Sequence, residues 1–240
     1  MTKLFLDIET LPTDRQDVRE LLASKVTHPA TISKAETIAK WNEESRPAAV
    51  EDAVSKTGLD GTFGRVCVIG WALDDGPVHT AKSADDEESV LLEFSRRLGI
   101  PATDVFETCV VGHNVSGFDL RFLMQRFIIH NIRPPAVIAR AARAKPWEED
   151  KVFDTMVQWS GTGARPGGSL EKLCMALSIA SPKTDLDGSK VAAAVAAGRI
   201  DDVADYCALD VDATRKVWRR MTFQPAAISA HVLAAAQEVA

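Results

Sequence analysis

Apolar and polar positions along this chain alternate with two periods, near 2 and near 3.6. Residues 3–9 (Lys3-Leu4-Phe5-Leu6-Asp7-Ile8-Glu9) predict a buried strand, and Arg65–Leu73 (RVCVIGWAL) predicts the strongest strand of the chain. Asp74-Asp75-Gly76-Pro77 forms a turn, and Val78 to Lys82 follows as the hairpin partner. Shorter apolar runs at Thr108–Gly112 and Val152–Thr155 predict two more strands. Helical spacing marks 85–98 (Val90, Leu91, Phe94, Leu98), the stretch from Ser116 to about His130, and a Ser169-capped segment through Leu177. An Ala-rich helix over 189–197 should stop at Gly198, and Ile200–Met221 predicts a long amphipathic helix. Residues 225–240 predict a terminal Ala-rich helix. Residues 13–57 are polar and helix-favouring, with breaks expected at Pro29 and Pro47, and predict a helical insertion outside the sheet. This element order implies an α/β layer fold with a mixed sheet.

The length of 240 residues favours one domain carrying an insertion over two full domains. The apolar fraction of 46% is enough for a sizeable core. No apolar run is long enough to span a bilayer and no signal peptide is evident, so a cytoplasmic protein with no membrane partner is expected. The four cysteines (Cys67, Cys109, Cys174, Cys207) lack metal-type spacing and read as reduced core residues. A net charge of −6 argues against non-specific coating of nucleic acid. Yet the stretch between Asp119 and Glu148 contains no acid and holds Arg121, Arg126, Arg133, Arg140, Arg143 and Lys145. It is either a solvated face or a phosphate-contacting strip.

The candidate chemistry begins at Asp7 and Glu9. Strand residues two apart project the same way, so both carboxylates would point together. Like charges that close call for a counter-charge, and a hard divalent cation with oxygen ligands supplies one. Such a pair also simply caps a turn, as Pro12 and Asp14 would allow. Asp119 lies in the first turn of the helix after the strand Thr108–Gly112, at the strand end where α/β sheets gather ligands. Ser116-x-x-Asp119 reads equally as a capping box. Tyr206 and Asp210 share a helix face at i and i+4, on the border of the stripe Val203, Cys207, Val211 and Val217 that faces the sheet. An ordinary boundary pair would look the same.

Taken together, Asp7, Glu9, Asp119 and Asp210, with Tyr206 four residues before the last acid, resemble in order and context the DEDD-type 3′–5′ exonucleases. The Tyr-x-x-x-Asp ending looks like the tyrosine (DEDDy) branch; the other branch carries His five residues before the final Asp, where this chain has Asp205. Phe5–Thr10, Gly64-Arg65-Val66, Gly112-His113-Asn114, Phe118-Asp119, Phe153-Asp154-Thr155 and Lys183–Ser189 are similar to the exonuclease domain of family B DNA polymerases and its stand-alone relatives. The resemblance spans about residues 3–220.

It implies a ribonuclease H-like mixed sheet, three antiparallel strands plus parallel strands, flanked by helices. It implies a single exonuclease domain over 1–240, with the insertion at about 13–57 and a helical tail at about 222–240. The implied activity is metal-dependent release of nucleotides from the 3′ end of single-stranded or frayed DNA. Two Mg²⁺ ions per site, with Mn²⁺ able to substitute, suit an all-carboxylate ligand set. By resemblance, Asp7, Glu9 and Asp210 hold the metal that activates water, Asp7 bridges to the second metal, Asp119 supports that metal, and Tyr206 aims the water. Thr10, Leu11 and Phe118 are candidate walls for the last base and sugar. Asn114 either contacts substrate or satisfies its loop, and Lys183 either reaches a phosphate or is a solvated loop lysine. His113 is expected to brace the strand end, and Asp154 to be a strand-end residue. The partner implied is a single-stranded 3′ end, DNA favoured over RNA. The alternatives are a 3′–5′ exoribonuclease with the same site and a non-catalytic nucleic-acid-binding accessory module; an endonuclease or integrase of related fold fits the late Tyr206–Asp210 helix less well.

Overall fold

A computed structural model describes residues 1–101, 103–145, 147–161, 167–180 and 185–224. Its centre is a five-stranded sheet made of β1 (Thr2–Leu11), β2 (Arg65–Leu73), β3 (His79–Lys82), β4 (Thr108–Gly112) and β5 (Val152–Asp154), in the order β3-β2-β1-β4-β5. β1 and β2 run antiparallel, as do β2 and β3, whereas β4 lies parallel to β1 and β5 parallel to β4. This is the mixed sheet expected, three antiparallel strands plus parallel strands, flanked by helices on both faces. The strand that opens the chain sits in the middle of it, hydrogen-bonded on both edges.

Alternation along β1 divides its side chains between two cores. Leu4, Leu6 and Ile8 face the packed side of α4 (Glu87–Arg97), α5 (Asp119–Ile129) and α6 (Ala136–Ala141), among Val90, Phe94, Leu120, Leu123 and Ile138. Phe5 faces the other way, toward Ala72, Val111 and Val211 under α10 (Ile200–Met221). Asp7 and Glu9 share Phe5's face, so the only acids of β1 point at the C-terminal helix.

α10 runs over the predicted residues. The helix expected from Ser116 begins instead at Asp119, because the amides of Asn114 and Ser116 are drawn to the Asp154 carboxylate (both 2.9 Å) and leave the helical path. The insertion holds three helices, α1 (Gln16–Lys25), α2 (Ala35–Glu44) and α3 (Arg46–Ser55). The break expected at Pro47 falls just before it, at Ser45, and Pro47 itself sits in the first turn of α3, where a missing amide proton costs nothing. α6 and α7 (Thr155–Ser160) were not anticipated; each has six residues, too short for a periodic signal. α8 (Leu170–Ala176) has the expected Ser169 cap, whose hydroxyl accepts from the Lys172 amide at 3.3 Å. α9 (Val191–Ala196) ends just before Gly198, whose φ of 77° lies in the left-handed region. The helix expected over 225–240 lies outside the described residues.

Two cations of the acid-free segment are engaged within the protein. Arg126 is buried, with its guanidinium held by Glu87 through Nε–Oε1 (2.8 Å) and Nη2–Oε2 (2.6 Å). The Val66 amide (2.7 Å) and His130 (2.7 Å) complete the Glu87 shell, tying α4 and α5 to the start of β2. Arg140 is spent on the Thr108 carbonyl and Asp150. Arg121, Arg133, Arg143 and Lys145 remain exposed.

Candidate active site

Three elements far apart in sequence meet at the acidic end of β1. Asp119, at the start of α5, is 3% exposed, and its Oδ1 accepts from the Ile8 amide at 3.1 Å, between Asp7 and Glu9. On the opposite side α10 lies against β1: the Cys207 thiol is 3.4 Å from Asp7 Oδ2 and 3.6 Å from the Asp7 carbonyl. One turn along, the Tyr206 hydroxyl faces the Asp210 carboxylate and acts to lower its pKa.

The close approach of α10 depends on β2. Gly70 stands directly across from Asp7, and a Cβ there would lie 2.8 Å from Cys207 Sγ and 3.1 Å from Val211 Cγ2. Any side chain would lift the helix from the sheet. Between Glu9 and Thr10 the β1–β2 register shifts, a bulge at the point where the acids leave the ladder.

The electrostatics are those of crowded carboxylates. Burial, then Asp119, Glu9 and Asp210, pushes Asp7 well above the ordinary carboxylate range. Burial, then Asp210 and Asp119, does the same to Glu9. Burial lifts Asp119 to about 7 against amide hydrogen bonds that work the other way. Burial lifts Asp210 to about 6, with the Tyr206 hydroxyl opposing. Tyr206 itself is pushed up by burial and by Asp210, so its hydroxyl stays protonated. The charged neighbours of Asp7, Glu9 and Asp119 are other acids. Glu9, 8% exposed, has no hydrogen-bond or ion-pair partner for its carboxylate among the described residues. A cluster of this kind has the chemistry to hold a cation: oxygen donors, buried or half-buried, with no positive side chain among them in the described residues.

A cleft of about 930 Å³ opens beside Tyr206 and Asp210, walled by Leu170, Met175, Leu186 and Lys190. The remaining candidates distribute as follows. Thr10 donates its hydroxyl to the Gly58 carbonyl at 2.6 Å. Leu11 is 4% exposed and packs with Cys67, Val68 and Val203 in the core, its side chain turned inward. Phe118 is half-buried against Phe122, with ring centroids 5.5 Å apart. Asn114 holds a left-handed φ of 61° with its amide on Asp154. Lys183 lies outside the described residues. His113 bonds Thr155 Oγ1 (2.9 Å) and the Gly168 carbonyl (3.0 Å), tying the strand end to α7 and the segment before α8. Asp154 caps α7 through the Met156 amide and anchors the loop that delivers Asp119.

Cys207 was missed as a site residue. Its place on the sheet-facing stripe of α10 marked it as core, and only the register of α10 on β1 puts it beside Asp7. With Asp7 and Glu9 it forms a group whose ligand atoms lie within 4.8 Å of one another.

Residues 61–239 match the family described as a predicted 3′–5′ exonuclease related to the exonuclease domain of PolB. No curated protein matches the chain. Among solved structures, E. coli exonuclease I in complex with a dT13 oligonucleotide aligns over 85% of this chain at 16% identity with a TM-score of 0.37. The alignment covers 43% of that protein's chain.

Proposed function

Because the chain belongs to the family of predicted 3′–5′ exonucleases related to the exonuclease domain of PolB, we propose that it releases nucleotides from the 3′ end of single-stranded or frayed DNA by metal-assisted phosphodiester hydrolysis of the DEDDy type. The observation that carries this reading is the contact of α10 with β1 beside Asp119. It gathers Asp7, Glu9, Asp119 and the Tyr206–Asp210 turn of α10 into one acidic pocket.

The roles follow from the donors. Asp7, Glu9, Asp119 and Asp210 would hold two Mg²⁺ ions, or Mn²⁺ in their place, since each offers hard oxygen ligands. Bound there, the ions supply a lowered water pKa and offset the charge that grows on the leaving 3′ oxygen. Tyr206, kept protonated, is a donor that aims the attacking water rather than a base that removes its proton. Asp154 and His113 act at one remove, fixing the loop that presents Asp119. On this reading Asn114 and Phe118, close to that acid in sequence, would meet the terminal nucleotide, and Thr10, next to Glu9, would line its sugar.

On this reading the chain is one exonuclease unit over 1–240, with 13–57 an addition to it. No helix among the described residues is long and apolar enough to cross a membrane, and a cytoplasmic site of action accords with four buried free thiols.

The test is a time course on an oligonucleotide labelled at its 5′ end, with and without Mg²⁺. A ladder shortening by single nucleotides, lost in chelator, is expected. A strand bound but never shortened would make the chain an accessory module. A matched RNA strand shortened faster than the DNA would reassign the substrate.

A further inference from the structure

We infer that Cys207 gives the carboxylate cluster a sulfur ligand, so that Asp7, Glu9 and Cys207 form a site for one thiophilic divalent cation such as Zn²⁺ or Cd²⁺. The inference rests on the reading above for the site's location and goes beyond it in the kind of cation bound.

Three observations support it. The first is spacing. Zn–S near 2.3 Å and Zn–O near 2.1 Å at a tetrahedral angle place sulfur and oxygen about 3.6 Å apart. Cys207 Sγ and Asp7 Oδ2 are 3.4 Å apart, and all three ligand atoms fall within 4.8 Å. The second is Glu9, more than nine-tenths buried, whose carboxylate faces this group without any partner among the described residues. A buried, unpaired acid is costly unless something positive meets it. The third is selectivity within the fold. Cys67 is also buried near Glu9, but its thiol points at the Glu9 carbonyl and stands outside the group.

Thiolate sulfur prefers soft and borderline metals, while carboxylates alone prefer hard ones. On binding, a metal–sulfur bond forms, the thiol proton leaves to solvent, and the ion keeps its charge of two. Asp7 is then committed to an ion that also holds Cys207. The expected consequence is that Zn²⁺ or Cd²⁺ displaces Mg²⁺ and arrests cleavage. A packing role for the thiol, seated over Gly70, predicts none of this.

The experiment is a Cd²⁺ titration of the metal-free full chain, followed by the ultraviolet sulfur-to-cadmium charge-transfer band. The band should grow to one equivalent in the wild type and in Cys67→Ser, and vanish in Cys207→Ser. In Glu9→Gln, which keeps the thiol, the Cd²⁺ dissociation constant should rise at least about 10-fold, as loss of a ligand requires. A wild-type protein without the band, or a band that survives Cys207→Ser, overturns the inference; so does an unchanged constant in Glu9→Gln, which also covers the case of a Cys207→Ser variant that does not fold. A chain that shows the band yet releases no nucleotides with Mg²⁺ would keep this site and lose the exonuclease reading. Cleavage with Mg²⁺ and no band would do the reverse.

Discussion

At the residue scale the site is a problem of charge. Asp7→Ala and Asp210→Ala should each lower cleavage by at least about 100-fold while the metal-free protein unfolds no earlier, since each removes one acid from a repelling group. Tyr206→Phe should slow cleavage by about 10- to 100-fold by leaving the water poorly aimed; quench-flow rates with saturating Mg²⁺ read all three. The same charges make stability depend on pH. Asp119 at about 7 and Asp210 at about 6 lie above the 3.8 of an ordinary aspartate, so folding favours their protonated forms. In metal-free protein that contribution is complete below about 4 and is lost as pH rises through 6 and 7. Urea midpoints in chelator should show this fall, and Asp210→Asn should flatten part of it. The acids themselves were legible in the sequence, because strand alternation and helix spacing both put chemistry on predictable faces. Cys207 was not, because a thiol on an apolar stripe looks the same over a core and over a carboxylate.

At the element scale the decisive fact is how closely α10 lies on the sheet. Gly70→Ala should cost about 1–3 kcal/mol, since the new methyl meets Cys207 and Val211. Adding Cys207→Ala should recover part of that stability by making room, and chemical denaturation of the single and double variants reads both. A glycine inside a strand carries no hint of this in sequence; it signals only a weak point or a close neighbour. Strands β1, β2 and β4 and the helix α10 were readable because their burial is one-sided or total over many residues. α6 and α7 were not, being single turns and a half held by tertiary contacts. Arg126 taught the same lesson: a cation in an acid-free stretch found its acid 39 positions away. Burial disfavours the charge on Glu87, but Arg126, the Val66 amide and His130 outweigh it and hold its pKa low. That stability is present above the ordinary 4.5 and lost as pH falls. Arg126→Ala should cost about 3–5 kcal/mol by stranding a buried carboxylate, measured by thermal or urea unfolding at neutral pH.

At the scale of the whole molecule the sheet and its site stand apart from the insertion. α1 and α3 bury one side chain each, Val18 and Val54, and α2 buries none. Joining Arg15 to Lys56 by a short Gly/Ser link should therefore leave cooperative unfolding and Mg²⁺-dependent cleavage in place. Thr57 and Gly58 must stay, because they hold the end of β1 through Thr13 and Thr10. Loss of cooperative unfolding would show that α1–α3 belong to the core. The site also joins residue 7 to residue 210, and this has a consequence for biosynthesis. The first strand leaves the ribosome long before its last partner is translated. A nascent or truncated polypeptide ending before α10 holds half a pocket and, on the proposed reading, cannot degrade the nucleic acids around it; the nuclease is armed only when its closing helix docks.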